Sequence, residues 1–121
     1  MKGKLIVAAL ATALAAVPVQ AHHSFAMFDK TREVELTNVT VVDWQWTSPH
    51  TWLFVTAPNR DRYSIEGGNP GLMRRLGFAK GSLRAGDRIT VYMSPLRNGA
   101  KGGAINAVRF ANGQMLGERM R

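Results

Sequence analysis

Arg62-Tyr63-Ser64-Ile65-Glu66-Gly67-Gly68-Asn69-Pro70-Gly71-Leu72-Met73-Arg74-Arg75-Leu76-Gly77 changes its period part-way, and that change decides the fold. Over 62–66 the residues alternate, which puts Tyr63 and Ile65 on one face of a strand. Gly67-Gly68 ends the strand. Asn69 can then cap the free N–H groups of a helix, Pro70 suits its first position, and Gly77 can take the left-handed conformation past its end. Leu72, Met73 and Leu76 recur at one-turn spacing and predict one apolar helix face. Two turns are marginal alone, so this helix has to dock on a sheet.

Upstream, Val34–Trp46 is rich in Val, Thr and Trp, which suit a pleated surface. Thr47-Ser48-Pro49 breaks it. Trp52–Thr56 reads as a second strand, and Asn59-Arg60-Asp61 as a tight turn into the third. Downstream, Leu83-Arg84-Ala85-Gly86-Asp87 is a turn leading into Arg88–Met93, where Ile89, Val91 and Met93 alternate. Gly99–Gly103 reads as a flexible connector. Ala104–Phe110 reads as the last strand, with Val108 and Phe110 on one side, and Asn112-Gly113 as a turn. Glu118–Arg121 is a charged tail expected to fray. One short helix between strands 3 and 4 of five predicts a mainly β fold: a small, partly open five-stranded antiparallel barrel, like the oligonucleotide/oligosaccharide-binding barrel.

With 121 residues, a single domain is the expectation. An apolar content of 45% excludes intrinsic disorder. The absence of Cys excludes a disulfide framework, a Cys-type zinc site, an iron–sulfur cluster and a thiol nucleophile. The formal charge is +8, but Arg60, Arg62, Arg74, Arg75, Arg84 and Arg88 are scattered. No run of five or six like charges marks a polyanion site. A solvated basic face is the default, with an acidic protein or anionic ligand as the alternative partner.

The N-terminus reads as an address. Met1–Lys4 is a short positive start, and Leu5–Val19 runs fifteen residues without a charge before Gln20-Ala21. That layout predicts a secretory signal peptide over 1–21, cleaved after Ala21. The run is shorter than the roughly 20 residues a spanning helix needs. Residues 22–121 are then expected to form one periplasmic or secreted domain with an N-terminal arm over 22–33. No further membrane span and no nucleic-acid partner are expected.

Five stretches carry a resemblance. They are His22-His23-Ser24-Phe25 with Phe28-Asp29, Gln45-Trp46-Thr47-Ser48-Pro49-His50, Ser64–Pro70, Leu83–Asp87, and Pro95-Leu96-Arg97-Asn98-Gly99 with Gly102-Gly103. On these the chain resembles a family of short exported bacterial proteins without an assigned function. The family pattern has Asn where this chain has Ser48, and either side chain can accept a hydrogen bond in a turn. The resemblance implies export and brings no chemistry.

Any imidazole site must come from His22, His23 and His50. Cleavage after Ala21 would give His22 a free α-amine beside its own imidazole, two donors that close a small chelate ring. Nitrogen donors of this kind favour Cu(II), the strongest binder of the divalent first-row series. His50 or His23 would supply a third nitrogen. Asp29 is a candidate to orient an imidazole through its second nitrogen. The competing reading leaves the adjacent histidines solvated and His50 bonded to a turn carbonyl. Trp44, Trp46 and Trp52 form a candidate ligand face, against the simpler role of filling a small core. Glu66, just ahead of a helix start, reads as structural. The expected function is non-catalytic: copper binding through His22, His50 and His23, or a protein- or glycan-binding module without metal.

Overall fold

Five strands and one α-helix follow the expected order, β1 (Val34–Gln45), β2 (Trp52–Thr56), β3 (Arg62–Glu66), α1 (Pro70–Arg75), β4 (Arg88–Pro95) and β5 (Gly102–Phe110), and a sixth strand that was not expected, β6 (Met115–Gly117), comes after them. This computed structural model describes residues 25–121. The expected signal peptide over 1–21, with His22 and His23, lies outside the described residues.

β1 pairs with β2 and with β4, β2 with β3, and β4 with β5, all antiparallel. β3 then pairs with β5, Ser64 opposite Gly102 and Glu66 opposite Ala104, and this closes the barrel. The closing pair is parallel. The expected mainly β, five-stranded barrel with one short helix is therefore present, closed and mixed in strand direction rather than partly open and antiparallel throughout, and parity supplies the reason. Around a ring of five strands direction cannot alternate throughout, so one neighbouring pair must run the same way.

Gly102 and Gly103, expected in a flexible connector, instead begin β5. A Cβ on Gly102 would run into the Ser64 carbonyl, and one on Gly103 into the Ser94 carbonyl. Closure brings β5 that near to β3 on one side and β4 on the other. Irregularities in β1, near Leu36/Val39 and Val41/Asp43, let the long strand bend between its two partners.

The barrel core is Val39, Val41, Leu53, Val55, Ile65, Ile89, Val91, Met93 and Val108, with Met73, Phe78 and Leu83 joining it from α1 and the loop beyond. The Asn69 side chain accepts from the Leu72 N–H at 2.9 Å, and Gly77 has φ of 93°. The helix punctuation thus holds. Leu72 departs from the predicted apolar face, at 42% exposed, because the short helix turns mainly Met73 inward. Replacing Asn69 with alanine should cost about 1 kcal/mol in urea unfolding, the usual loss for an N-cap.

Alternation predicts one buried face for β4, yet Thr90, Tyr92 and Ser94 are buried along with Ile89, Val91 and Met93. The C-terminal stretch bears on that second face. β6 pairs with β5, Glu118 N–H donates to the Asn106 carbonyl at 2.9 Å, and the Arg119 guanidinium lies 4.1 Å from the Tyr92 ring centroid. The tail expected to fray is therefore docked. Glu33, just ahead of β1, receives it, accepting from Met120 N–H at 2.7 Å and Arg119 Nε at 2.9 Å.

Candidate metal site

The turn between β1 and β2 aims His50. Its Ser48–Pro49 peptide is cis, and Thr47 Oγ1 donates to the His50 carbonyl at 2.7 Å. Next comes Thr51, fully buried. Thr51 N–H donates to the Gly68 carbonyl at 3.0 Å, Gly67 N–H donates to the Thr51 carbonyl at 2.8 Å, and Thr51 Oγ1 adds a 2.9 Å bond to Gly68. The β2–β3 pairing thus continues beyond Glu66 and places His50 diagonal to it, a spacing across which long side chains meet. Gly67 has to be glycine here, since a Cβ would run into Thr51 Oγ1.

His50 Nδ1 lies 3.2 Å from Glu66 Oε1. The separation is that of a hydrogen bond, but the N–H direction misses, so Nδ1 is buried without an aligned partner. The Glu66 side chain is 7% exposed. His50 is 36% exposed, so its ring spans from this interior contact to the surface.

Both side chains line a cavity of about 140 Å³, with Phe28, Lys30, Met73 and Ile105 among its walls. The Lys30 ammonium lies 5.6 Å from the Phe28 ring centroid. The arm reaches this wall by pinning to the β4–β5 connection. Phe28 bridges to Leu96, Asp29 N–H donates to the Pro95 carbonyl at 2.8 Å, and Arg97 N–H donates to the Met27 carbonyl at 2.9 Å. Arg97 Nε holds the Ala26 carbonyl at 3.0 Å. From Ala26 back to His22, four residues can span at most about 14 Å. Phe28 and Lys30, from the end of the arm, thus line the same cavity as His50.

The other predicted residues have different surroundings. Asp29 accepts from Thr31 Oγ1 at 2.6 Å and Thr31 N–H at 3.0 Å, and these bonds hold its carboxyl below the ordinary value. It borders a separate, wider groove with Arg32 and Arg97. Trp44 and Trp46 pack together at 5.7 Å between centroids; Trp44 also meets Phe78 at 5.9 Å and donates its indole N–H to the Ala79 carbonyl. Both pack against the core, and Arg74 covers Trp46 at 5.5 Å. Trp52 points to the other face of β2 from the buried Leu53 and stacks on Phe54 at 6.2 Å. The three indoles are thus split between two faces.

Glu66 is the residue that the sequence reading left structural. The hairpin itself carried a signal: counting outward from the Asn59–Asp61 turn sets Trp52 opposite Glu66, and His50 two residues further on. Among the described residues no group of three or more His, Cys, Asp or Glu side chains could hold a metal ion. His50 and Glu66 are two such side chains. No described helix is long and apolar enough to cross a membrane.

A family model described as a family of unknown function (DUF6152) matches residues 9–106. No curated protein and no solved structure matches the chain.

Proposed function

Because the chain belongs to DUF6152, a family of unknown function whose name assigns no chemistry, we propose from the site itself that it is an exported, non-catalytic copper-binding protein of the periplasm. Removal of residues 1–21 leaves His22 as the mature N-terminus. Its amine and imidazole chelate Cu(II), and His50 supplies a further nitrogen. The α-amine has a reference pKa of about 7.7–8.0 and imidazole about 6.5, so copper displaces protons from both near neutral pH. His23, next along the arm, is the alternative third nitrogen.

One observation carries this reading. His50 Nδ1 is buried without an aligned partner in a cavity whose wall includes Phe28, six residues after His22. A buried imidazole nitrogen without a partner is destabilising in a protein that gains nothing from it. A carrier or chaperone role suits so small a cavity.

The test starts from exported protein whose mature start at His22 is confirmed by mass spectrometry. Cu(II) titration followed by electron paramagnetic resonance should give a one-to-one site. His50→Ala, and separately one residue added before His22, should each weaken binding more than about a hundredfold, the upper range for losing even a supporting residue of a metal site. Binding indifferent to both changes would sink the copper reading and leave a protein- or glycan-binding module.

A further inference from the structure

We infer that the outer face of β2 is a saccharide-binding surface, and that the saccharide it takes carries a carboxylate bound by Arg88. This surface uses neither copper nor a histidine.

Leu53 and Val55 point into the core, so Trp52, Phe54 and Thr56 share the opposite face of β2 and are half-buried there. Trp52 and Phe54 lie nearly parallel, with 17° between their planes and 6.2 Å between centroids. Rings that only filled the interior would lie against it, as Trp44 and Trp46 do. An aromatic face is negative, and the C–H bonds of a sugar ring, polarised by their oxygens, present the positive side that it attracts. The neighbouring strands set polar groups around the rings. On β1, Asp43 lies opposite Phe54 and Gln45 opposite Trp52, and Gln45 Nε2 donates to Asp43 Oδ2 at 3.0 Å. On β3, Ser64 lies opposite Phe54. Carboxylate, amide and hydroxyl groups exchange hydrogen bonds with sugar hydroxyls.

Thr56, two residues beyond Phe54, belongs to a row that crosses four strands: Arg88, Thr40, Thr56 and Arg62 are partners in register. Neighbouring strands stand about 4.8 Å apart, so two hydroxyl-bearing residues fill the roughly 14 Å between the two arginine positions. Thr40, Thr56 and Arg88 line a groove of about 510 Å³ with Asn38, Ala57 and Pro58. No described carboxylate lines it, and neither Arg88 nor Arg62 forms an ion pair among the described residues. A guanidinium takes a carboxylate through two parallel hydrogen bonds, and Arg62 adds a second positive charge along the row. A nucleic-acid strand would also stack on the rings, but it brings a phosphate at every nucleotide, and Asp43 beside Phe54 repels it. An acid-free groove next to an acid-bearing pair of rings matches a chain in which a carboxylate unit adjoins an uncharged one.

The test is isothermal titration calorimetry of the metal-free exported protein. A hyaluronan tetrasaccharide, in which glucuronate alternates with N-acetylglucosamine, should bind one-to-one and shift the tryptophan fluorescence. Chitotetraose, its uncharged counterpart, should bind about tenfold more weakly or worse, because the charge-assisted pair with Arg88 is lost. Arg88→Gln should weaken hyaluronan binding by about the same factor and leave chitotetraose alone, a split that a merely structural Arg88 would not produce. Trp52→Ala should weaken both sugars about tenfold, in the range for losing a stacking ring. Arg121→Gln, which removes the same charge from the C-terminal residue, should bind as wild type. Equal affinity for the two sugars, or an Arg88→Gln variant with wild-type selectivity, overturns the carboxylate assignment. Failure of wild type to bind either sugar, or tighter binding of oligothymidylate than of both, overturns the saccharide surface. Should Trp52→Ala fail to fold by circular dichroism, Phe54→Leu serves instead: it should lower both affinities at native melting temperature, and unchanged affinities count against the stacking role.

Discussion

Alanine at Gly102 or Gly103 should destabilise the protein by about 3 kcal/mol, the upper end of what an extra methyl group costs in a packed interior. At either position the added carbon meets a backbone carbonyl, Ser64 from Gly102 and Ser94 from Gly103. A side chain can rotate away; a carbonyl engaged in a strand moves only if the strand moves. The usual gain of about 0.4–1 kcal/mol from stiffening the unfolded chain is too small to offset this. For a folded unit of this size, the loss corresponds to a fall of about 12–24 °C in melting temperature. Gly81→Ala is the control, since open space surrounds that position and its φ is ordinary. It should be neutral or slightly stabilising. Equal melting temperatures for Gly102→Ala, Gly103→Ala and Gly81→Ala would show that β5 does not approach its neighbours this closely.

Glu33→Ala should have the next largest effect, also near 3 kcal/mol by urea unfolding, because three donors lose one acceptor. Met120 N–H, Arg119 Nε and Asn106 Nδ2 converge on this carboxylate at 2.7, 2.9 and 3.1 Å, and its side chain is 10% exposed. Hydrogen bonds to a charged group contribute about 1.5–3 kcal/mol each, short of additively. Burial pushes the Glu33 carboxyl up, but the Met120, Arg119 and Asn106 donors together outweigh it and hold it below its ordinary 4.5. A carboxyl depressed on folding contributes its stability in full above the unfolded value and loses it as pH falls through the lower folded one. The gap between wild type and Glu33→Gln should therefore be widest above pH 4.5 and narrow below it. Asp29 and Asp61 are held down by Thr31 and Lys101 and soften the acid limb in the same direction, so the comparison with Glu33→Gln isolates the buried group. A gap independent of pH would show that the tail does not rest on this charge.

Local rules served best where local physics decided. The bounds of β2 and β3 follow from alternation between turn residues, and α1 from Asn69, Pro70 and Gly77. Gly102 and Gly103 misled because a glycine pair looks like a loop when only its neighbours in sequence are considered. Their reason is two carbonyls elsewhere in the chain. β6 spans three residues, too few for any period to show, and the tail beyond it was legible only to someone who already knew that Glu33 is buried. His50 stood out as a histidine in a stiff turn. Its contact with Glu66 needed the hairpin register carried two residues past the end of the strands, where the Thr51 to Gly68 bonds continue it. Glu66 ends β3 opposite Trp52, and Asn69 is the residue that caps α1.

β5 has neighbours along both edges. β4 follows one from Ile89 to Pro95. Along the other, β3 accompanies Gly102–Ala104 and β6 accompanies Ala107–Arg109, while Glu118 N–H takes the Asn106 carbonyl between them. An incoming peptide therefore finds no vacant ladder there: recognition by β-augmentation is barred at this strand, and so is the edge-to-edge stacking that seeds fibrils.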